Sequence, residues 1–169
     1  MAGRSHRLSE LGSELGERLK QRRETLAVAE SSAGGLISAA LVAVPGASAF
    51  YLGGAIIYTA ASREGLLAIG KEQMRNTRSA TEAMAQILAR RVREKLGATW
   101  GLAETGASGP SGNRYGDPAG HACLAVSGPV ERVITVETGR ADREENMRVF
   151  TERALELLEA CLIASPAAA

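Results

Sequence analysis

Leu26-Ala27-Val28-Ala29-Glu30-Ser31-Ser32-Ala33-Gly34-Gly35 is a short apolar run that ends in two hydroxyl residues and two glycines. A helical pattern begins directly after it, so the stretch reads as strand, tight turn and helix start. A helix N-terminus presents unpaired N–H groups and the positive end of a dipole, where a substrate anion or a developing oxyanion fits. Ser31 stands where a nucleophile would face that ligand. The same residues also read as an ordinary N-cap and an ordinary turn. Neither stronger catalytic pattern is present: Ala29 fills the place of the first glycine of G-x-S-x-G, and Gly34-Gly35-Leu36 fills that of G-K-[ST].

Around this stretch, helices and strands alternate. Upstream, Leu8, Leu11, Leu15 and Leu19 repeat at helical spacing with charges opposite, predicting an amphipathic helix over 8–23 after a frayed 1–7. The first strand covers Thr25 to Ala29, and the helix after the turn runs from Gly35 to Val44, where Pro45-Gly46 stops it. Gly53 to Tyr58 reads as a second strand, followed by a short helix from Ala61 to Leu67. Ser79 is expected to cap a long helix ending at Leu96, and Trp100 to Thr105 to form a third strand.

Gly106 to Gly120 is a glycine-rich loop of a length that compact domains usually reserve for function. His121 to Val126 and Val130 to Val136 are two further strands, joined closely enough for an antiparallel hairpin. A last helix runs from Asp142-Arg143 to Ile163. The expectation is one α/β domain over 1–169, with its core in 25–163. It has three layers, helices on both faces of a mixed, mostly parallel sheet of about five strands. Ligands of such sheets bind outside the carboxyl ends of the strands, where Ser31, Tyr58 and Thr105 fall.

Bulk properties narrow the function classes. A chain of 169 residues with 45% hydrophobic content suits one domain with a real core. Net charge is +1 and aromatics are few, which argues against sequence-independent nucleic-acid binding. Cys123 and Cys161 are far apart in apolar contexts, pointing to buried thiols in a reducing, cytoplasmic setting. No apolar run approaches the roughly 18 residues of a membrane span. A homo-oligomer is expected, since apolar surface on a small α/β domain often goes into symmetric assembly.

Three segments together carry a resemblance: Ala29-Glu30-Ser31-Ser32-Ala33-Gly34-Gly35, then Pro45-Gly46-Ala47-Ser48-Ala49 with Tyr58 downstream, then Thr105-Gly106-Ala107-Ser108-Gly109-Pro110. In order and interval they resemble the CinA C-terminal domain family, whose pattern reads A-E-S-C-T-G-G, G-S/A-S with Y-S-N-E-A-K, and T-G-I-A-G-P-x-G-G. The resemblance covers nearly everything from Thr25 to Leu162. It implies a three-layer α/β domain and, for active members, hydrolysis of the carboxamide of nicotinamide mononucleotide to carboxylate and ammonia, with no metal or other cofactor. The expected partner is a small nucleotide or phosphate-bearing molecule.

Carried over by position, the resemblance gives Ser31 as nucleophile, with Tyr58, Arg63 and Thr105 completing the catalytic set. Arg143 stands at the first arginine near the last helix. Glu30, Ser32, Gly34, Gly35, Gly106, Ser108 and Gly109 are the further candidates for ligand contact. Attack on an amide needs a positioned hydroxyl and N–H donors for the oxyanion, which the backbone from Ser32 to Gly35 is expected to supply. The glycine-rich loop and an arginine suit a phosphate.

The chain also departs from the pattern. Ser32-Ala33 replaces Cys-Thr, Ala60-Ala61-Ser62-Arg63 replaces Asn-Glu-Ala-Lys, and Met147 replaces a second arginine. A neutral lysine can take a serine proton, whereas an arginine stays charged and only orients or stabilises negative charge. On the residues alone, Glu30 reads equally as a turn-bonded carboxylate or a ligand contact, and Tyr58 equally as packing or catalysis. His121 reads chiefly as a structural histidine. Arg63 and Arg143 have solvated charges as their plain alternative, and Thr105 and Ser108 have turn caps.

Overall fold

The structure is a computed structural model that describes residues 2–166. Five helices, α1 (Ala2–Arg22), α2 (Leu36–Val42), α3 (Ala60–Leu67), α4 (Glu82–Leu96) and α5 (Arg143–Ala164), accompany five strands. The strands are β1 (Leu26–Glu30), β2 (Tyr51–Ile56), β3 (Trp100–Ala107), β4 (His121–Ser127) and β5 (Arg132–Glu137). They form one sheet in the order β2-β1-β3-β4-β5. β1 runs parallel to both β2 and β3, while β3–β4 and β4–β5 are antiparallel.

The sheet is thus half parallel, which corrects the mostly parallel expectation. The reason lies in the loop 108–120, which forms no crossover helix. It returns the chain directly beside β3 as a wide hairpin, pairing Ala107 with His121.

Alternation along the strands divides the core between two faces. Leu26 and Val28 of β1 with Trp100 and Leu102 of β3 face leucines of α1, α2 and α5. Ala27, Ala29 and Ala103 face Met84, Leu88 and Val92 of α4 and Leu67 of α3. Small residues on this second face bring α4 very close. A Cβ added at Gly101 would stand 2.0 Å from the Ala89 carbonyl oxygen.

Several boundaries shift for local reasons. The first helix begins at Ala2 rather than Leu8, so the leader expected to fray lies within α1, apart from Met1, which is outside the described residues. A short 3-10 turn at Ala47–Ala49 delivers the chain into β2 at Tyr51, two residues early, so the strand ends at Ile56 rather than at Tyr58. Thr81, not Ser79, caps α4, its hydroxyl accepting from the Met84 N–H. α5 starts where expected, and Asp142 caps it, its side chain accepting from the Glu145 N–H.

One polar lock ties the far ends of the chain together. Arg22, closing α1, grips both oxygens of buried Glu24 at 2.9 and 3.0 Å and donates to the carbonyls of Leu162 and Ser165 at the end of α5. Trp100 Nε1 donates to the same Glu24 at 2.7 Å, so this buried carboxylate is matched on both oxygens.

Candidate functional site

The chain leaves β1, forms β2 on one side of it, then crosses to form β3 on the other. Ligands of open α/β sheets bind at such a reversal, beyond the carboxyl ends of the strands. Ser31 follows β1 and Thr105 lies near the end of β3, with Tyr58 just past the end of β2. All three line one cavity of about 580 Å³.

Two buried carboxylates hold the Ser31 turn. Glu30 accepts from the N–H groups of Gly35, Ile37 and Ser38, and from the Ser38 hydroxyl at 2.6 Å. It therefore occupies the N-terminus of α2 itself. Glu104 accepts from the N–H groups of Ser31 at 2.9 Å and Ala33 at 2.8 Å, and from the Ser32 hydroxyl in a very short bond. Burial pushes the Glu104 carboxyl above its usual range, against the pull of these three donors.

This clamp narrows the donors available to the expected oxyanion hole. The amides of Ser31 and Ala33 go to Glu104, that of Gly34 to the Ser31 carbonyl at 3.1 Å, and that of Gly35 to Glu30. Among the described residues, the Ser32 amide is the one of this turn left without a hydrogen-bond partner. The Ser31 hydroxyl, by contrast, has no hydrogen-bond partner among the described residues, and Ser31 lines the cavity.

The cavity wall is cationic. Arg63, Arg78 and Arg114 line it, and no carboxylate, histidine or lysine does. Arg78 is already matched, gripping Asp117 at 2.6 and 3.1 Å. That hydrogen-bonded guanidinium is the main reason Asp117 is held at about 2. Arg114 donates to the Tyr115 hydroxyl at 2.8 Å, and both Arg78 and Arg114 lie 5.0 Å from the centre of the Tyr115 ring. Arg63 is the least satisfied: its Nη1 reaches Ser79 Oγ only at 3.5 Å, and its buried Nε has no partner.

Thr105 is buried, its hydroxyl oxygen accepting from the Ala80 N–H at 3.0 Å. The Ala80 carbonyl meets His121 Nε2 at 2.9 Å, while His121 Nδ1 meets Glu137. Burial opposes a charge on His121. The bonds to Glu137 and Ala80, with the charges of Glu137 and Asp117, more than offset it and raise the imidazole above its usual value. His121 does not line the cavity, in keeping with the structural reading.

The remaining candidates divide clearly. Gly106 lines the cavity, and a Cβ there would stand 2.5 Å from the His121 carbonyl. Glu30, Ser32, Gly34, Gly35, Ser108, Gly109 and Arg143, expected to contact a ligand, are not among the residues that line it. Gly34 (φ 68°) and Gly35 (φ 101°) hold the left-handed bend into α2. Arg143 bridges the Gly109 carbonyl and the Tyr58 hydroxyl. Ser108 is buried with its hydroxyl unpartnered, and its carbonyl accepts from Asn146 at 2.8 Å.

Sequence reading missed Glu104, Arg78, Arg114 and Tyr115. Glu104 had a signal, a lone acid inside the apolar run Trp100–Thr105; Arg114 and Tyr115 lie in the glycine-rich loop, which pointed to function without singling them out, and Arg78 sits in an irregular segment with no signal. Among the described residues no group of His, Cys, Asp and Glu is placed to hold a metal ion. No helix among them is long and apolar enough to cross a membrane.

The pattern of the CinA C-terminal domain matches residues 8–162. The chain belongs to the CinA C-terminal domain family. A CinA-like protein of Gloeobacter violaceus is 39% identical over 136 residues, which cover 79% of this chain and 32% of that protein. A CinA-like protein of Myxococcus xanthus is 36% identical over 157 residues, 89% of this chain and 36% of the other. The chain thus spans about a third of the length of these curated relatives. Among solved structures, a competence-damaged protein (CinA) superfamily protein of Escherichia coli superposes with a TM-score of 0.84 at 26% identity, covering 90% of this chain and 88% of that one. One of the same superfamily from Klebsiella pneumoniae gives 0.86 at 25%, covering 93% and 98%. Ser31, Tyr58, Arg63 and Thr105, assigned from the CinA pattern, come together on one cavity wall.

Proposed function

We propose that this CinA domain is an amidohydrolase of the nicotinamide mononucleotide deamidase type. The observation that carries the reading is the Ser31 hydroxyl, without a hydrogen-bond partner among the described residues, at the wall of a cavity lined by three arginines and no carboxylate. A phosphate-bearing ligand fits that charge, and Arg63, with an unpartnered Nε, is its anchor. Arg143, committed to Gly109 and Tyr58, is not.

In the reaction the Ser31 oxygen adds to the carboxamide carbon, and the serine proton ends on the departing nitrogen as ammonia. Water then cleaves the ester to the carboxylate and restores the serine. The Ser32 amide is the donor left in the turn for the oxyanion, and the Tyr58 and Thr105 hydroxyls are the relay and positioning groups.

A second reading is favoured by the same wall: it holds no lysine, histidine or carboxylate to receive the serine proton. The domain then binds the nucleotide without hydrolysing it, or acts on another amide. Calorimetry with nicotinamide mononucleotide, paired with an ammonia assay, separates these readings. Binding with ammonia release that Ser31→Ala abolishes upholds the deamidase. Binding without release upholds the second reading, and absence of both removes the nucleotide from either.

A further inference from the structure

Behind the Thr105 side of the cavity lies a chain of contacts that the reaction above does not use. Ala80 joins the wall segment Thr77–Ser79 to the cap of α4, and its backbone is left-handed (φ 58°), a conformation that residues bearing a Cβ rarely adopt. Its peptide groups are pinned on both sides. The N–H donates to Thr105 Oγ1 at 3.0 Å, and the carbonyl faces His121 Nε2 at 2.9 Å. His121 Nδ1 in turn lies in a very short contact with Glu137.

Both ring nitrogens thus face acceptors, one a carboxylate and one a carbonyl. Only the imidazolium form has an N–H for each. We infer that His121, charged and clasped by Glu137, positions Thr105 and the Thr77–Ser79 wall of the cavity through the Ala80 peptide.

The groups around the ring favour this state. Glu137 on β5 contacts it, Asp117 in the glycine-rich loop lies 4.0 Å from Nε2, and the Cys123 thiol on the same strand lies at 3.8 Å. Glu82 at the head of α4 is held by Thr135 of β5, and Arg78 is turned toward Asp117. Two acids therefore flank the ring, while the guanidinium of Arg78 is already paired with one of them.

Loss of the proton forces a choice between the two bonds. Charge-assisted hydrogen bonds are about twice as strong as neutral ones, so the remaining N–H stays on Nδ1 toward Glu137. The Nε2 lone pair then opposes the Ala80 carbonyl oxygen. Ala80 loses one of its two restraints, and the wall carrying Arg78 and Thr105 loosens.

The test has two arms, the first independent of any ligand. In nuclear magnetic resonance titration of the whole chain, both His121 nitrogens carry protons at neutral pH, with a midpoint above the usual value of about 6.5. The Ala80 and Thr105 amide resonances move with that midpoint, and His121→Gln removes the movement. A neutral His121 at pH 7, or an Ala80 amide indifferent to its titration, overturns the inference.

The second arm rests on the nucleotide reading. Affinity for nicotinamide mononucleotide falls at least fivefold as His121 deprotonates, and Glu137→Gln moves this break to lower pH. A break that ignores Glu137→Gln overturns the positioning role. Absence of nucleotide binding at every pH defeats the proposed function alone, and the first arm then decides.

Discussion

Arg143 Nη2 donates to the hydroxyl of Tyr58 at 2.9 Å, joining the head of α5 to the segment just beyond β2. Its other terminal nitrogen binds the Gly109 carbonyl, so one guanidinium fixes both the glycine-rich loop and a tyrosine that is itself 59% exposed. An exposed phenol without that partner would sample several rotamers. Arg143→Ala is therefore expected to cost only about 1 kcal/mol of stability, while nucleotide binding or turnover falls about tenfold, roughly 1.4 kcal/mol. Arg143→Lys, a point donor without the fork, recovers stability but not function. Denaturant unfolding and calorimetry on the same preparations check the two halves.

The buried Glu104 distinguishes charge from geometry. Glu104→Ala leaves the amides of Ser31 and Ala33 and the Ser32 hydroxyl without an acceptor, and unmatched buried donors cost about 1–3 kcal/mol each. The expected loss is about 3 kcal/mol or more. Glu104→Gln can accept both amides on its carbonyl oxygen and donate its NH2 to Ser32, so it is expected to lie within about 1 kcal/mol of the parent. Chemical denaturation of both variants measures this; equal losses would mean that the negative charge, not the hydrogen-bond pattern, holds the turn.

Gly101 is where α4 meets β3. A methyl group there would stand 2.0 Å from the Ala89 carbonyl oxygen and 2.8 Å from the Arg93 Cβ, neither of which can swing aside. Gly101→Ala is expected to destabilise by about 1–3 kcal/mol through displacement of the helix. A melting temperature unchanged from the parent would count against the close approach of α4 to the sheet.

Two ionisable groups give opposite pH signatures. Asp117 is held at about 2 against an ordinary 3.8, so its contribution is present above 3.8 and lost as pH falls through about 2. His121 is raised above 6.5, so its contribution is full below 6.5 and lost as pH climbs through the raised value. Asp117→Asn should therefore match the parent in stability only at the acid end. His121→Gln should fall short most below pH 6.5, with the gap closing at alkaline pH. Denaturant midpoints across pH 2–9 read both gaps.

The sequence made the strands and helices legible because burial writes itself as periodicity: Leu11, Leu15 and Leu19, or Leu88 and Val92, have no other reason for their spacing. Ser31, Tyr58 and Thr105 were legible as neighbours because strand ends of parallel pairs converge, while Arg63 came from the family resemblance alone. What stayed hidden was the destination of hydrogen bonds. Nothing local reveals that Glu104 of β3 would take the amides of a turn over 70 residues earlier, or that His121 would reach back to Ala80. The same is true of the sheet's balance, since an irregular loop such as 108–120 does not declare whether it crosses over or doubles back.

Arg63 offers the most direct probe of chemistry. It lies on α3 with Nε buried and unpartnered, beside Ser79 and on the same cavity wall as Ser31. The family resemblance gives lysine at this place, and lysine, unlike arginine, can shed its proton near a cluster of guanidinium groups. Arg63→Lys keeps a cation for the phosphate in its charged form and supplies a proton acceptor in its neutral form. Ammonia release from nicotinamide mononucleotide is therefore expected to rise tenfold or more, with a rate that climbs toward alkaline pH as the lysine deprotonates. Arg63→Ala, lacking both functions, should weaken binding about tenfold. If the lysine variant binds as the parent does and its rate does not rise, residue 63 is an anion anchor only, and the serine proton leaves by another path.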